Sequence, residues 1–309
     1  MRLALIPPLL AIAWGLNWPA VKTMLSVLAP FSARGLGLGL GVILLVGLAL
    51  LRRTPLLPQR AAWPAVLIGG VLTVAVFNMC TAFAQLTTST SRAAVLTFTM
   101  PLMSAALAWA VLGERPDRNS ALALALGGVG VAVLAVPVLG GLMAPVQVQV
   151  QVQVAGPGPW PVGSAWGLLF PLGAALAWAL GTVATKRWPP PGDRIIITAW
   201  QLGIGAACAT VAALATGERL PAVWPPRVLV ALAWHVLIAT AVAYVLWYQL
   251  LASASATVAS LTTLAVPVVG VLGAMALVGD RPSGADWLGF VLVLGGAALV
   301  MLPMRVARA

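Results

Sequence analysis

Apolar runs of about 20 residues follow one another through almost the whole chain, and that feature leaves few folds open. Breaks in the pattern place ten runs, near 3–28, 30–51, 62–85, 90–112, 118–139, 163–187, 194–215, 227–250, 254–278 and 284–304. Each run is long enough to cross a bilayer as a helix, which satisfies its own backbone in hydrocarbon. The predicted class is an all-α integral membrane protein with ten transmembrane helices.

The runs fall into two sets. Pro101 and Gly113-Glu114-Arg115-Pro116 recur as Pro267 and Gly279-Asp280-Arg281-Pro282 at an offset of 166 residues (267 − 101 and 280 − 114). Pro7, Trp14, Leu16, Ala20 and Lys22 likewise match Pro171, Trp178, Leu180, Ala184 and Lys186 at an offset of 164. The expected organisation is a first five-helix repeat over 1–139, an extracytoplasmic linker over 140–161 and a second five-helix repeat over 162–309. Five spans is an odd number, so the second repeat enters the membrane from the opposite side, and the duplication is inverted. Arg2 and Ala11-Ile12-Ala13 resemble a cleavable signal, but the segment's internal counterpart predicts that it stays.

Only 7% of residues are charged, against roughly 25% in a soluble domain. The net charge of +11 sits between apolar runs, not in a stripe of the kind that binds nucleic acid. With a cytoplasmic N-terminus, eleven Lys and Arg fall in inner loops and tails, and only Arg219, Arg227 and Arg281 in outer loops. That bias predicts a bacterial inner membrane protein with both termini cytoplasmic. Cys80 and Cys208 lie in apolar runs with no CxxC spacing and read as core residues. Within the linker, Val146 to Val154 alternates Val and Gln, the period of a local extended segment.

No HExxH, GxSxG or paired-carboxylate arrangement occurs, so no enzyme, catalytic residue, metal or cofactor is expected. Gly35, Gly37, Gly39 and Gly41 miss the GxGxxG spacing and read as small residues for close helix contact. All six acids lie in loops or near span ends, which argues against a mid-membrane proton carrier. His235, the single histidine, sits inside the eighth run and reads as a neutral core residue, with proton sensing as the alternative.

Polar groups inside spans need a partner or a wet cavity. Asn78, Thr81 and Gln85 share one helix face in the third run. Trp14, Trp18 and Lys22 share another in the first, with Asn17 beside it. Trp178, Thr182 and Lys186 repeat it in the sixth, and Tyr244, Trp247 and Tyr248 add rings in the eighth. These faces are the candidate substrate pocket; helix packing is the plainer alternative for each. Lys186, next to Arg187, snorkels to the headgroups, whereas Lys22 lies deeper and is a candidate partner for an anionic group. Pro101 and Pro267 are expected to kink matched helices and serve as gating elements, with Thr97 and Thr263 satisfying freed carbonyls.

Trp14-Gly15-Leu16-Asn17, the two mid-span prolines and Gly113-Glu114-Arg115-Pro116 together resemble the EamA branch of the drug/metabolite transporter superfamily, over the whole chain. The chain looks most like its aromatic amino-acid exporters of the YddG type. The resemblance implies two inverted five-helix repeats around a central cavity. Gly181 departs from the pattern where the first repeat has Asn17, and Asp280 where it has Glu114.

The expected function is a secondary transporter that exports amino acids, aromatic or apolar, and related small metabolites by alternating access. Its partners would be the small-molecule substrate and the lipid bilayer, with no nucleic acid. The alternatives are a nucleotide-sugar or drug carrier of the same superfamily and a non-transporting membrane scaffold.

Overall fold

The computed structural model of the chain describes residues 5–112, 118–141, 164–243, 246 and 256–301. Every regular element among them is helical. Helices α1 (Ile6–Gly15) and α2 (Asn17–Met24) occupy the first apolar run, α3 (Pro30–Leu51) the second, and α4 (Trp63–Ile68) and α5 (Phe77–Thr87) the third. Helices α6 (Thr90–Thr97) and α7 (Met100–Leu112) fill the fourth and α8 (Arg118–Gly141) the fifth. Then come α9 (Trp166–Arg187), α10 (Arg194–Ala215), α11 (Pro226–Ala233), α12 (Ala256–Val278) and α13 (Gly284–Met301). Helix α8 runs two residues into the expected linker. The Gly113 to Pro116 corner and the Val/Gln alternation lie outside the described residues.

The helical stretches Pro30–Leu51, Arg60–Thr87, Thr90–Val111, Trp166–Thr185 and Arg194–Ala215 are long and apolar enough to cross a membrane. Shorter apolar helices stand at Ala121–Val136, Pro226–Val242, Ala265–Val278 and Gly284–Leu299. The protein is a multi-pass membrane protein.

Hydrophobicity cannot hold such helices together in lipid, so close approach must. The antiparallel neighbours α3 and α10, α8 and α13, and α5 and α9 pack along much of their lengths, and α1 packs on α12. At the α8–α13 seam, a Cβ on Gly130 would lie 2.8 Å from the Val293 backbone nitrogen, and one on Gly296 2.7 Å from the Ala123 oxygen. At the α1–α12 seam, a Cβ on Gly15 would meet Val269 Cβ at 2.6 Å. The glycine run of α3 divides its work. Gly35 faces Thr210 and Gly37 and Gly41 face His235 and Thr240, while Gly39 has nothing within 4 Å.

Two stretches wind more widely than an α-helix. Gly69–Val76, between α4 and α5, and Trp234–Val242, after α11, are π-helices, and they start 165 residues apart (234 − 69). Both segments are mostly apolar, broken only by Thr73 in the first and by His235 and Thr240 in the second, so no hydrophobic period reports the change of winding. Such stretches are rare and gather at functional sites.

The prolines depart from expectation. Pro101 is the second residue of α7, and the interruption lies just before it, at Phe98 and Thr99, where Phe98 has ψ 10°. A proline at a helix start loses no hydrogen bond there. Thr99 donates its hydroxyl to the Leu96 carbonyl at 2.8 Å. Thr97, expected to satisfy a freed carbonyl, is fully buried and its hydroxyl has no partner among the described residues. Pro267 does sit inside a continuous helix, α12; the side chain of Thr263 lies outside the described residues.

Helix ends at one end of the bundle share a device. Gly217, at φ +69°, ends α10, and the Glu218 that follows accepts hydrogen bonds from the backbone of Phe31 (3.3 Å) and Ser32 (2.7 Å) at the start of α3. Gly279, at φ +74°, ends α12, and Asp280 accepts from Ser91 N at 2.7 Å at the start of α6. A left-handed glycine is the residue that turns the chain back at a helix C-terminus, and a carboxylate suits the positive N-terminal end of a helix. Gly-acid-Arg thus occurs four times in the chain, the copies at Gly192-Asp193-Arg194 and Gly217-Glu218-Arg219 lying in places the repeat comparison passed over. The Arg92 guanidinium pairs with Asp286 at 2.5 Å beside the same end.

Candidate functional site

The inward polar side chains converge where α2, α3, α5 and the second π-helix meet. From α2, Lys22 donates to the backbone carbonyl of Gln85. From α3, Arg34 donates through Nη2 to Thr81 Oγ1 at 2.9 Å, and Thr81 passes its own proton to the Asn78 carbonyl at 3.0 Å. From the second π-helix, His235 Nδ1 lies 2.8 Å from Asn17 Oδ1. With that oxygen as acceptor, Nδ1 carries the proton. Thr81 and Gln85 are one turn apart on α5, so these pairs form one contiguous polar seam.

Local sequence explains how each group is presented. Leu16 interrupts the first span between α1 and α2, and the Asn17 that restarts the helix points to His235. Gly37 gives the imidazole its room: a Cβ there would lie 2.6 Å from His235 Cδ2. The hydroxyl of Thr240 returns to the His235 carbonyl at 2.9 Å, a five-residue bridge that fits π winding. Burial is severe, with Arg34 4% and Gln85 1% exposed. Arg34 Nε and Gln85 Oε1 have no hydrogen-bond partner among the described residues.

The structure brings together Asn17, Lys22, Asn78, Thr81 and Gln85 from the sequence-based candidates. The Asn78 amide also donates to Val74 O on its own helix at 2.9 Å. Trp14 anchors α1 to the second π-helix by donating to Ala239 O at 3.0 Å. Trp18 lies beside Gly270 of α12. Trp178 packs on Phe77 with centroids 5.0 Å apart, in the α5–α9 seam that also stacks Phe83 on Phe170. Thr182 is exposed and donates to its own helix at Trp178 O, so it stands apart from the seam. Tyr244, Trp247 and Tyr248, and the side chain of Lys186, lie outside the described residues.

Arg34 and His235 are the seam members that sequence reading left out of the pocket. The signal for Arg34 was a charge four residues inside a span; for His235 it was the Gly37 opposite, which only the fold places there. Gly181, which replaces the repeat's asparagine, has its own cause. A Cβ at Gly181 would overlap Thr73 Oγ1 of the first π-helix, so the α9 backbone meets a threonine side chain of that π-helix where α2 meets the second by a side-chain hydrogen bond.

The family model of the EamA-like transporters matches residues 4–136 and again 165–302. The chain belongs to the EamA-like transporter family. Relatives of this transporter include the uncharacterized transporter YvbV of Bacillus subtilis (strain 168), 24% identical over 308 residues, covering 100% of this chain and 94% of the relative. YoaV of the same organism, also an uncharacterized transporter, is 23% identical over 256 residues, 83% of this chain and 82% of its own. A solved crystal structure shares the fold at TM-score 0.59 and 23% identity, over 96% of this chain and 95% of that one. This EamA-like protein is therefore a membrane transporter, and the buried seam is its candidate cargo site.

Proposed function

We propose that this transporter exports amino acids, aromatic or apolar, and related small metabolites across the bacterial inner membrane. Its two inverted five-helix halves rock about the polar seam, with both termini in the cytoplasm. The observation that carries the reading is the seam itself: buried polar groups from α2, α3, α5 and a π-helix, aromatic side chains at Trp14, Trp18 and Trp178 on the neighbouring helices, and no acid among its members. Rings hold an apolar side chain, and Asn78, Gln85 and Lys22 face its polar end. Support for the halves comes from the two family-model matches and the matched π-helices.

The latched end carries Glu218 and Asp280. The opposite end has a cavity of ≈ 130 Å³ between Thr54, Gln59, Gly192 and Asp193, and Asp193 there caps its own helix α10.

Purified protein in liposomes, loaded with unlabelled tryptophan or phenylalanine and given the labelled amino acid outside, tests the reading by counterflow. Saturable uptake is expected; no movement of any labelled amino acid in either direction would sink it. A thermal-melt screen against amino acids, nucleosides and cationic drugs separates it from a drug carrier and from a scaffold, which no ligand would stabilise.

A further inference from the structure

We propose that Arg34, with Lys22 beside it, forms an anion subsite that takes the carboxylate of the transported molecule. This rests on the transporter reading and names the chemistry at its site.

Among the described residues, Arg34 has one hydrogen bond, to a neutral hydroxyl, and its Nε is buried with no partner. Lys22 is held by a backbone carbonyl, also neutral. Because Thr81 and Gln85 lie four residues apart on α5, the partners of the two cations are about 6 Å apart along the axis. Neither forms an ion pair among the described residues. Four described carboxylates are committed elsewhere: Asp193 to α10, Glu218 to α3, Asp280 to α6, and Asp286 to Arg92. Asp280 acts on Lys22 through space, but its hydrogen-bonding oxygen is on Ser91.

A guanidinium in a membrane interior is ordinarily matched by an acid, because hydroxyls and carbonyls satisfy its protons without cancelling its charge. Here the matching charge has to arrive with the cargo. The Nε edge of a guanidinium is a planar fork shaped for a carboxylate. Gln85 Oε1, buried without a donor on the same face of α5, is the acceptor an α-ammonium group needs. Two unpaired cations and one free acceptor together describe an α-amino acid better than a cationic amine, which Arg34 and Lys22 would repel. In the conformation described, the hydroxyl of Thr81 and the carbonyl of Gln85 hold the two cations.

The test uses L-phenylalanine, 3-phenylpropionate and phenethylamine as probes of the full chain in detergent, with binding read by calorimetry and melting temperature. The two carboxylates should bind and stabilise the wild type, and phenethylamine should not. Arg34→Gln should weaken both carboxylates by about tenfold or more, the scale of a charge-assisted hydrogen bond. Arg34→Lys should recover part of the loss, and Lys22→Gln should weaken them less. Should Arg34→Gln not fold, the Arg34→Lys and Lys22→Gln variants carry the comparison. Phenethylamine binding the wild type as tightly as phenylalanine, or carboxylate affinity unchanged in the folded variants, overturns the subsite. The two readings fail separately. Arg34-dependent binding of 3-phenylpropionate without amino-acid counterflow removes the amino-acid cargo and leaves the subsite. Counterflow with the same KM in Arg34→Gln does the reverse.

Discussion

Asp280 and Ser91, 189 residues apart, are joined by a 2.7 Å hydrogen bond from the Ser91 backbone to the Asp280 carboxylate. The bond ties the corner after α12 to the start of α6. Glu218 ties the corner after α10 to α3 in the same manner, so two carboxylates late in the chain clamp two helix N-termini early in it. Replacing Asp280 by Ala removes a cap worth about 0.5–2 kcal/mol. The expected outcome is a lower melting temperature and faster thiol labelling of a cysteine placed at Thr88, because that end opens more often. Unchanged labelling would show that the clamp does not hold it shut.

Arg92 and Asp286 test the same end through charge. Each side chain is mostly buried, 17% and 10% exposed, so removing one leaves the other poorly solvated. Asp286 also accepts from Ser283 N at 2.9 Å, which keeps it in place when Arg92 is lost. Arg92→Ala should cost about 3 kcal/mol. The exchanged pair Arg92→Asp with Asp286→Arg should recover less than half of that, since the Ser283 bond is lost. Chemical or thermal unfolding of the single and double variants measures the coupling.

Gly181 and Gly39 should respond oppositely to the same change. Gly181→Ala drives a methyl into Thr73, a stiff β-branched side chain, and should destabilise by about 1–3 kcal/mol. Adding Thr73→Ser or Thr73→Ala should return part of the loss. Gly39→Ala meets open space and should be neutral or stabilising by up to about 1 kcal/mol, as alanine is the better helix former. Melting temperatures in one detergent check both.

The two matched prolines should not behave alike. Pro267 interrupts the hydrogen bonding of a continuous α12, whereas Pro101 begins α7 after a break already made at Phe98 and Thr99. Pro267→Ala should therefore raise the melting temperature and slow counterflow by several fold if the kink moves during transport. Pro101→Ala should change both little. Equal effects at the two positions would remove the distinction.

Much of the frame was legible in sequence because it follows from local rules. Apolar runs mark helices in lipid, and the runs at 30–51 and 194–215 agree with α3 and α10 at both ends. The Gly-acid-Arg corner was legible as a helix-end device, since a left-handed glycine and an N-terminal carboxylate are local requirements. Its further copies at Gly192 and Gly217 escaped because they have no counterpart in the 166-residue comparison. Within the seam, Thr81 and Gln85 were legible as one helix face, whereas the shift of the break to Phe98 was not, because proline is compatible with both a kink and a helix start.

What the sequence determined by itself is the solvent and the elements: 7% charge and unbroken apolar runs leave lipid-embedded helices, with charged residues confined mainly to their ends. What only the tertiary structure decided is which polar groups face one another. Asn17 and His235 are 218 residues apart, and Arg34 finds Thr81 across two helices. Neither pairing leaves a periodic trace, because hydrogen-bond partners across a bundle are chosen by helix rotation and close approach. Those are set at Gly37 and Gly181, where a missing Cβ lets the His235 and Thr73 side chains of the two π-helices reach the facing helix.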